Sequence, residues 1–233
     1  MKSERIKSGI SELDSLIQGG MKRNSINLIA GGPGTGKSIF AMQFLVEGIK
    51  NGEPGIYITF EEKKEKVYED MLKFGWDLAK YEDEGKFAFL EYTPEQVKKV
   101  LTEGGGIVEA IIEKIKAQRI VIDSVTSFSL LYEDELTKKE AALALFELIN
   151  KWNCTGFLTS QDDSRNSNTV SAALEFEADS IILMYHFKIK GIRKRAIEIL
   201  KMRGTKIPEK TFDLNITEKG IKIDPKKVEA FDN

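Results

Sequence analysis

Eight residues, Gly31-Gly32-Pro33-Gly34-Thr35-Gly36-Lys37-Ser38, stand between an apolar run, Ile26–Ala30, and a helical pattern that starts at Lys37. They fit the spacing G-x-x-x-x-G-K-[ST], and a strand before with a helix after is the context that spacing requires. No other feature constrains the fold as much. The strand must deliver the chain, through a loop of inward-turned N–H groups, to a helix N-terminus. Glycines let that backbone approach phosphate oxygens without a Cβ in the way, and the helix end adds partial positive charge. Gly32, Gly34, Thr35 and Gly36 are the expected cradle, Lys37 the group that reaches the β and γ phosphates, and Ser38 the hydroxyl that takes Mg²⁺.

The rest of the chain repeats strand and helix in alternation. Short apolar runs at 26–30, 55–60, 87–90, 119–123 and 156–160 read as strands. Helical patterns at 37–48, 64–74, 107–117 and 138–152 fall between them, the third after the break Gly104-Gly105-Gly106. This order implies an α/β fold: a mainly parallel twisted sheet with helices on both faces. The last third changes character. Segments 179–189, 195–203, 212–216 and 221–223, joined by turns such as Lys190-Gly191 and Lys219-Gly220, read as a C-terminal antiparallel β-meander. With no Pro/Ser-rich linker in 233 residues, one domain is expected over 1–233, with a short N-terminal segment of about 1–24 leading into the core.

A triphosphate site needs a second Mg²⁺ partner. Asp123 ends the apolar strand Arg119–Asp123 and has the place of a Walker B aspartate, holding the metal through water. Ligands lie at the carboxyl ends of strands in such sheets. The strand 55–60 ends there in Glu61 and Glu62, either of which could orient a water or take its proton. A solvated turn before a helix fits the same spacing. Gln161, which ends the strand 156–160, reads by itself as an ordinary polar strand end. Lys201 and Arg203 stand two apart on one strand, so they share a face; by themselves they read as an exposed basic edge. His186 sits in an apolar strand and reads as a core or edge residue, with no His or Cys cluster around it.

Charge and composition exclude several classes. The net charge of −2 gives no bulk attraction to nucleic acid or anionic membrane. Residues 188–210 do carry nine basic residues against two acidic, but Glu133-Asp134-Glu135 and Asp162-Asp163 follow the 119–123 and 156–160 strands and would repel phosphates. Nucleic acid is therefore not the expected partner. One cysteine, Cys154, allows neither an intrachain disulfide nor a cysteine metal cluster. The start MKSERIKSGI lacks a signal-peptide core, and no run approaches the ~18 apolar residues of a membrane span. A cytoplasmic protein is expected.

The ordered set Ser8-Gly9-Ile10, Leu13-Asp14, Gly19-Gly20, the phosphate loop, Thr59-Phe60-Glu61-Glu62, Phe74-Gly75-Trp76-Asp77-Leu78, Ile122-Asp123-Ser124-Val125-Thr126 and Lys201-Met202-Arg203-Gly204-Thr205 resembles the KaiC family of RecA-like ATPases. The resemblance covers nearly the whole chain and implies ATP with Mg²⁺. It implies that Glu61 and Glu62 activate the nucleophile, with Glu61 favoured as principal base and Gln161 as sensor. It also implies that Lys201 and Arg203 reach across a subunit interface to a neighbour's γ-phosphate, which requires a ring, most simply a homohexamer. KaiC carries two such domains and this chain resembles one. Two other functions stay open. One is an autokinase modified on the hydroxyl-bearing loop 164–171, which lacks KaiC's adjacent Ser-Thr pair. The other is a recombinase-like DNA-binding ATPase, disfavoured by the acidic loops. An unknown protein partner is compatible with all three.

Overall fold

The computed structural model describes residues 4–93, 95–96, 99–100, 106–129, 131–132, 134–161 and 177–228. A small antiparallel pair, β1 (Arg5–Ile6) with β2 (Met21–Lys22), flanks helix α1 (Ser11–Leu16). The core then runs β3 (Ile26–Ala30), α2 (Lys37–Lys50), β4 (Gly55–Thr59), α3 (Lys64–Leu72), α4 (Leu78–Asp83), β5 (Phe87–Glu91), α5 (Gly106–Ile115), β6 (Arg119–Asp123), α6 (Val125–Ser129), α7 (Glu135–Lys151), β7 (Thr155–Ser160) and β8 (Ser180–Ile189). Strands β9 (Ile192–Met202), β10 (Thr211–Thr217) and β11 (Gly220–Val228) follow.

Nine strands form one sheet in the order β11-β10-β9-β8-β3-β7-β6-β4-β5. Strands β8, β3, β7, β6, β4 and β5 are mutually parallel, and β9, β10 and β11 add on as an antiparallel wing. Parallel strands buried on both faces need apolar side chains at every position, not alternation; all five residues of β3 and of β4 are buried. Their pleat feeds two separate cores. Ile29, Tyr57, Val121 and Phe157 pack with α1, α2, α3 and α4 on one face. Leu28, Ile58, Ile120 and Leu158 pack with α5 and α7 on the other.

Several elements depart from the expected bounds for identifiable reasons. Helix α7 begins at Glu135, three residues before the apolar pattern, because Asp134 caps it by accepting from the Thr137 N–H at 2.9 Å. Helix α2 continues through Gly48 to Lys50. That glycine is no stop signal: a Cβ there would stand 2.3 Å from Arg119 Cδ. Strand β9 lies between β8 and β10 in the sheet order, but β10 pairs with it only over 195–198, so Lys201 is paired on the β8 side. Among the described residues, no helix is long and apolar enough to cross a membrane.

Arg119 opens β6 at the edge where the parallel strands begin, and it is 1% exposed. Its guanidinium pairs with Glu53 at 2.5 Å and donates to the carbonyls of Lys7 at 2.8 Å and Phe44 at 2.6 Å. It also lies 4.4 Å from the centre of the Phe44 ring. Arg23 binds the other oxygen of Glu53 at 2.7 Å. Burial by itself would raise the Glu53 carboxyl; the hydrogen bonds from Arg119 and Arg23 outweigh it and hold the group below the usual glutamate range. Removing the carboxylate strands a buried cation, so Glu53→Ala is expected to cost about 3–5 kcal/mol in urea unfolding. Because the folded value is depressed, this contribution is full above the unfolded value of about 4.3 and is lost as pH falls through the folded one. Glu53→Gln should flatten that part of the acid limb; an unchanged acid limb would contradict the assignment.

Candidate functional site

The loop 31–36 joins the end of β3 to the start of α2, with Gly34 and Gly36 at φ of 74° and 106°. These are left-handed conformations that glycine adopts without strain. Strands β8 and β10 press on the loop from outside. A Cβ on Gly31 would stand 2.3 Å from the Met184 carbonyl oxygen, and one on Gly36 would stand 3.1 Å from Ile216 Cδ1. Inside the loop, Lys37 Nζ donates to the carbonyls of Gly31 at 2.7 Å and Gly32 at 3.0 Å. Thr35 Oγ1 donates to the same Gly32 oxygen at 2.9 Å. Burial pushes the Lys37 ammonium below its ordinary value, and the charges of Asp123 and Glu61 oppose that shift.

Asp123 ends β6 next to this loop. One carboxylate oxygen accepts from the phenol of Tyr57 at 2.5 Å and the other from Thr159 Oγ1. Tyr57 lies 1% exposed on β4, one strand away from β6, and it also hydrogen-bonds Ser38. Burial, then the charge of Asp123, raises the phenol well above its ordinary range, so it stays a proton donor. Ser38, Tyr57, Asp123 and Thr159 thus form one chain of hydrogen bonds. Its hydroxyl and carboxylate oxygens suit Mg²⁺, which takes one or two protein oxygens and fills its octahedron with water and phosphate. Among the described residues, no group of three or more His, Cys, Asp or Glu offers an all-protein cage.

Glu61 and Glu62 stand just past β4, with Thr59 Oγ1 accepting from both backbone N–H groups. The Glu61 carboxylate accepts from Ser127 Oγ, from Ser124 Oγ at 3.5 Å and from Gln161 Nε2 at 3.4 Å. Gln161 is itself tied to α6, its N–H donating to Thr126 Oγ1 at 2.8 Å. Burial, then the charge of Asp123, raises the Glu62 carboxyl above the ordinary range. One strand edge therefore gathers Lys37, Ser38, Asp123, Glu61, Glu62 and Gln161. Composition and spacing did not point to Tyr57, Thr159, Ser124, Thr126 or Ser127. Thr159, Ser124, Thr126 and Ser127 have a positional signal, since they lie near or just after a strand end at this edge, whereas Tyr57 stands mid-strand in β4.

Lys201 and Arg203 lie elsewhere. Lys201 pairs with Ile181 at the start of β8, and the Arg203 N–H donates to the Asp179 carbonyl at 2.8 Å. The Asp179 N–H in turn donates to Ile26, the first residue of β3. The loop leaves from the other end of β3, about 16 Å away at ~3.3 Å per residue. The chain's own fold keeps these two cations at the edge opposite its cradle. The loop 164–171, Asp162, Asp163 and Glu133 lie outside the described residues.

A cleft of about 450 Å³ opens beside the loop, lined by Gly32, Pro33 and Thr35 on one side and by Gln161, His186 and Arg193 on the other. His186 touches the loop: a Cβ on Gly34 would stand 3.2 Å from its Nδ1. It is half-buried rather than in the core, and because β8 pairs with β3 only through Leu183, the strand at His186 has β9 on one side and the loop on the other.

A family model described as "ATPase: KaiC" matches residues 6–228. A UPF0273 protein of Pyrococcus furiosus is 36% identical over 237 residues, covering 96% of this chain and 95% of its own. The circadian clock protein KaiC3 of Synechocystis is 33% identical, covering 95% of this chain but 46% of its own length. A KaiC-like protein of Pyrococcus horikoshii, solved as a crystal structure, superposes with a TM-score of 0.84 at 33% identity, over 96% of this chain and 100% of that one.

The Tyr57 phenol hydrogen-bonds both Asp123 and Ser38, so it orients the two oxygens that would face a metal. Tyr57→Phe keeps the ring and its stacking on Phe89. It is expected to raise the Mg²⁺ concentration needed for tight triphosphate binding by about tenfold, the lower end for lost outer-shell partners. A metal titration with an unshifted midpoint would show that the phenol has no such part.

Proposed function

The chain belongs to the KaiC family of ATPases, and from that premise we propose that it hydrolyses ATP with Mg²⁺ as a single cytoplasmic domain. It does so in a homo-oligomeric ring, most simply a hexamer, with active sites completed between subunits. The convergence of Lys37, Ser38, Asp123 and Glu61 at one strand edge supports this reading.

In this reading, backbone N–H groups at Gly32, Gly34, Thr35 and Gly36 take the phosphate oxygens, and Lys37 leaves the Gly31 and Gly32 carbonyls for the β and γ phosphates. The incoming anion relieves the desolvation that depresses the Lys37 ammonium. Mg²⁺, held by Ser38 and through water by Asp123, would neutralise charge on the β and γ oxygens. Glu61 orients a water and takes its proton as the water oxygen bonds to the γ-phosphorus. The bond to the β-bridging oxygen breaks, and ADP leaves with the electron pair. Gln161 couples Glu61 to α6 and so reports whether the γ-phosphate is present. Glu62, already raised toward its neutral form beside Asp123, assists as a proton acceptor only where a neighbouring cation lowers it again.

Lys201 and Arg203 supply that cation from the next subunit, as an arginine finger in trans. Their place at the edge opposite their own cradle supports this part of the reading. The same placement makes a composite site testable. Lys37→Ala and Arg203→Ala are each expected to lose ATP hydrolysis, the second by about 10³-fold or more. Mixing the two inactive variants should restore a fraction of wild-type turnover, because some interfaces then pair an intact cradle with an intact finger. No recovery from mixed and reassembled protein would mean that the site is not shared.

Glu61→Gln and Glu62→Gln, assayed with ATP labelled on the γ-phosphate, separate the remaining readings. Free labelled phosphate that disappears in Glu61→Gln supports hydrolysis with Glu61 as base. Label retained on the protein would instead make the chain an autokinase, and salt-sensitive retention on DNA would favour the recombinase-like reading.

A further inference from the structure

The loop's four consecutive carbonyls divide between two sets of partners. Those of Gly31 and Gly32 are taken by the motif's own side chains, Lys37 and Thr35. Those of Pro33 and Gly34 are taken from outside, by the β8–β9 hairpin. Arg195 Nε donates to the Gly34 oxygen at 2.9 Å. The His186 ring hydrogen-bonds the backbone of Pro33; proline has no N–H, so the acceptor is its carbonyl oxygen. His186 and Arg195 are direct register partners across β8 and β9. A directly opposed pair projects from the same face of the sheet, so a single cross-strand pair makes both contacts.

A trans peptide unit is planar, with its C=O and its N–H pointing opposite ways. Holding the Pro33 carbonyl outward aims the Gly34 N–H inward, and holding the Gly34 carbonyl outward aims the Thr35 N–H inward. Neither glycine nor the loop's positive φ fixes these planes by itself. Glycine permits many orientations, and a free loop would lose entropy when an anion selects one.

We propose that His186 and Arg195 are positioning residues for the phosphate cradle, locking the Pro33–Gly34 and Gly34–Thr35 peptide planes with their N–H groups toward the polyphosphate. The proposal rests on the reading of residues 31–38 as that cradle. Neither side chain needs to touch the nucleotide. Arg195 also places a fixed positive charge one peptide away from the anion. Because the pair sits on the hairpin that ends at Lys190-Gly191, the loop's order depends on strands outside the strand–loop–helix unit that carries the motif.

The test uses the full chain and equilibrium binding of ADP, with ATP turnover as a second readout. His186→Leu and Arg195→Met remove the donors and keep the bulk. Each is expected to weaken ADP binding by about tenfold, the effect of misaligning one hydrogen bond to a charged group. KM should rise with kcat little changed, since the lost interaction serves ground state and transition state alike. The unfolding midpoint of the nucleotide-free protein should not move. His186→Gln and Arg195→Lys keep a donor and should recover most of the affinity. Lys37→Ala separates the two levels of the argument. If wild type and Lys37→Ala bind ADP equally, the cradle reading fails and takes this one with it. If Lys37→Ala loses binding while His186→Leu and Arg195→Met bind like wild type, the brace alone is overturned. Weak binding that Gln and Lys do not rescue would also overturn it, by showing that packing and not donation is what matters.

Discussion

Everything at this site depends on backbone that approaches other backbone more closely than a side chain would allow. The loop from Gly31 to Gly36 is a thin layer between a ligand-facing interior and the strands β8 and β10 outside it. At Gly31 the neighbour is the Met184 carbonyl, and at Gly36 it is the Ile216 side chain. A Cβ at Gly31 would force β8 away from β3, its hydrogen-bonded partner. Glycine is therefore required on both sides of the layer: inward so that phosphate can approach, outward so that the sheet can close behind it. The antiparallel wing is the outer wall of the cradle rather than an appendage, even though it follows the strand–loop–helix unit by more than a hundred residues.

The sheet's polarity then divides the work between its two edges. At the carboxyl ends of β3, β4, β6 and β7 the chain gathers Lys37, Asp123, Glu61 and Glu62, with Lys37 lowered and Glu62 raised by burial. At the other edge, Arg119, Glu53 and Arg23 form a buried network with nearly every donor satisfied, closed by the carbonyls of Lys7 and Phe44. Such a network is costly to assemble and costly to break. It ties the N-terminal segment, α2 and β6 together, so that the start of α2 at Lys37 and the end of β6 at Asp123 keep a fixed relation. Rigidity at one edge is what allows the other to hold a desolvated lysine beside carboxylates.

Sequence patterns reveal these features unevenly, for physical reasons. The strand–loop–helix unit around residues 31–38 was legible because its motif sets fixed residue types at fixed spacing. The parallel strands were legible because burial on both faces demands unbroken apolar runs, as in Ile26–Ala30. The start of α7 was not, because Asp134 and Thr137 announce a helix by capping and not by periodicity. The β1–β2 pair was missed because two-residue strands carry no pattern at all. Tyr57 sits in an apolar run where an aromatic is ordinary, so nothing marks its hydroxyl as the donor to Asp123. His186 read as an unremarkable strand residue because its partners, Pro33 and Gly34, are more than a hundred and fifty residues away. Contacts made through backbone carbonyls leave no trace in residue identity.

The charged groups at this edge are held at an electrostatic cost. Lys37 is buried and depressed, resting on two carbonyls of its own loop, while Glu62 is raised by burial and by Asp123. Each shift records a charge held where charge is disfavoured. The polar chain Ser38–Tyr57–Asp123–Thr159 gives Asp123 a donor on each carboxylate oxygen, while Glu62 has Asp123 as a like-charged neighbour. An anionic ligand with its divalent counter-ion brings opposite charges to Lys37 and to the carboxylates together. Binding of such a ligand would offset in one event the electrostatic costs that the fold imposes on these groups separately, and a fold that left them solvated would have less to gain from it.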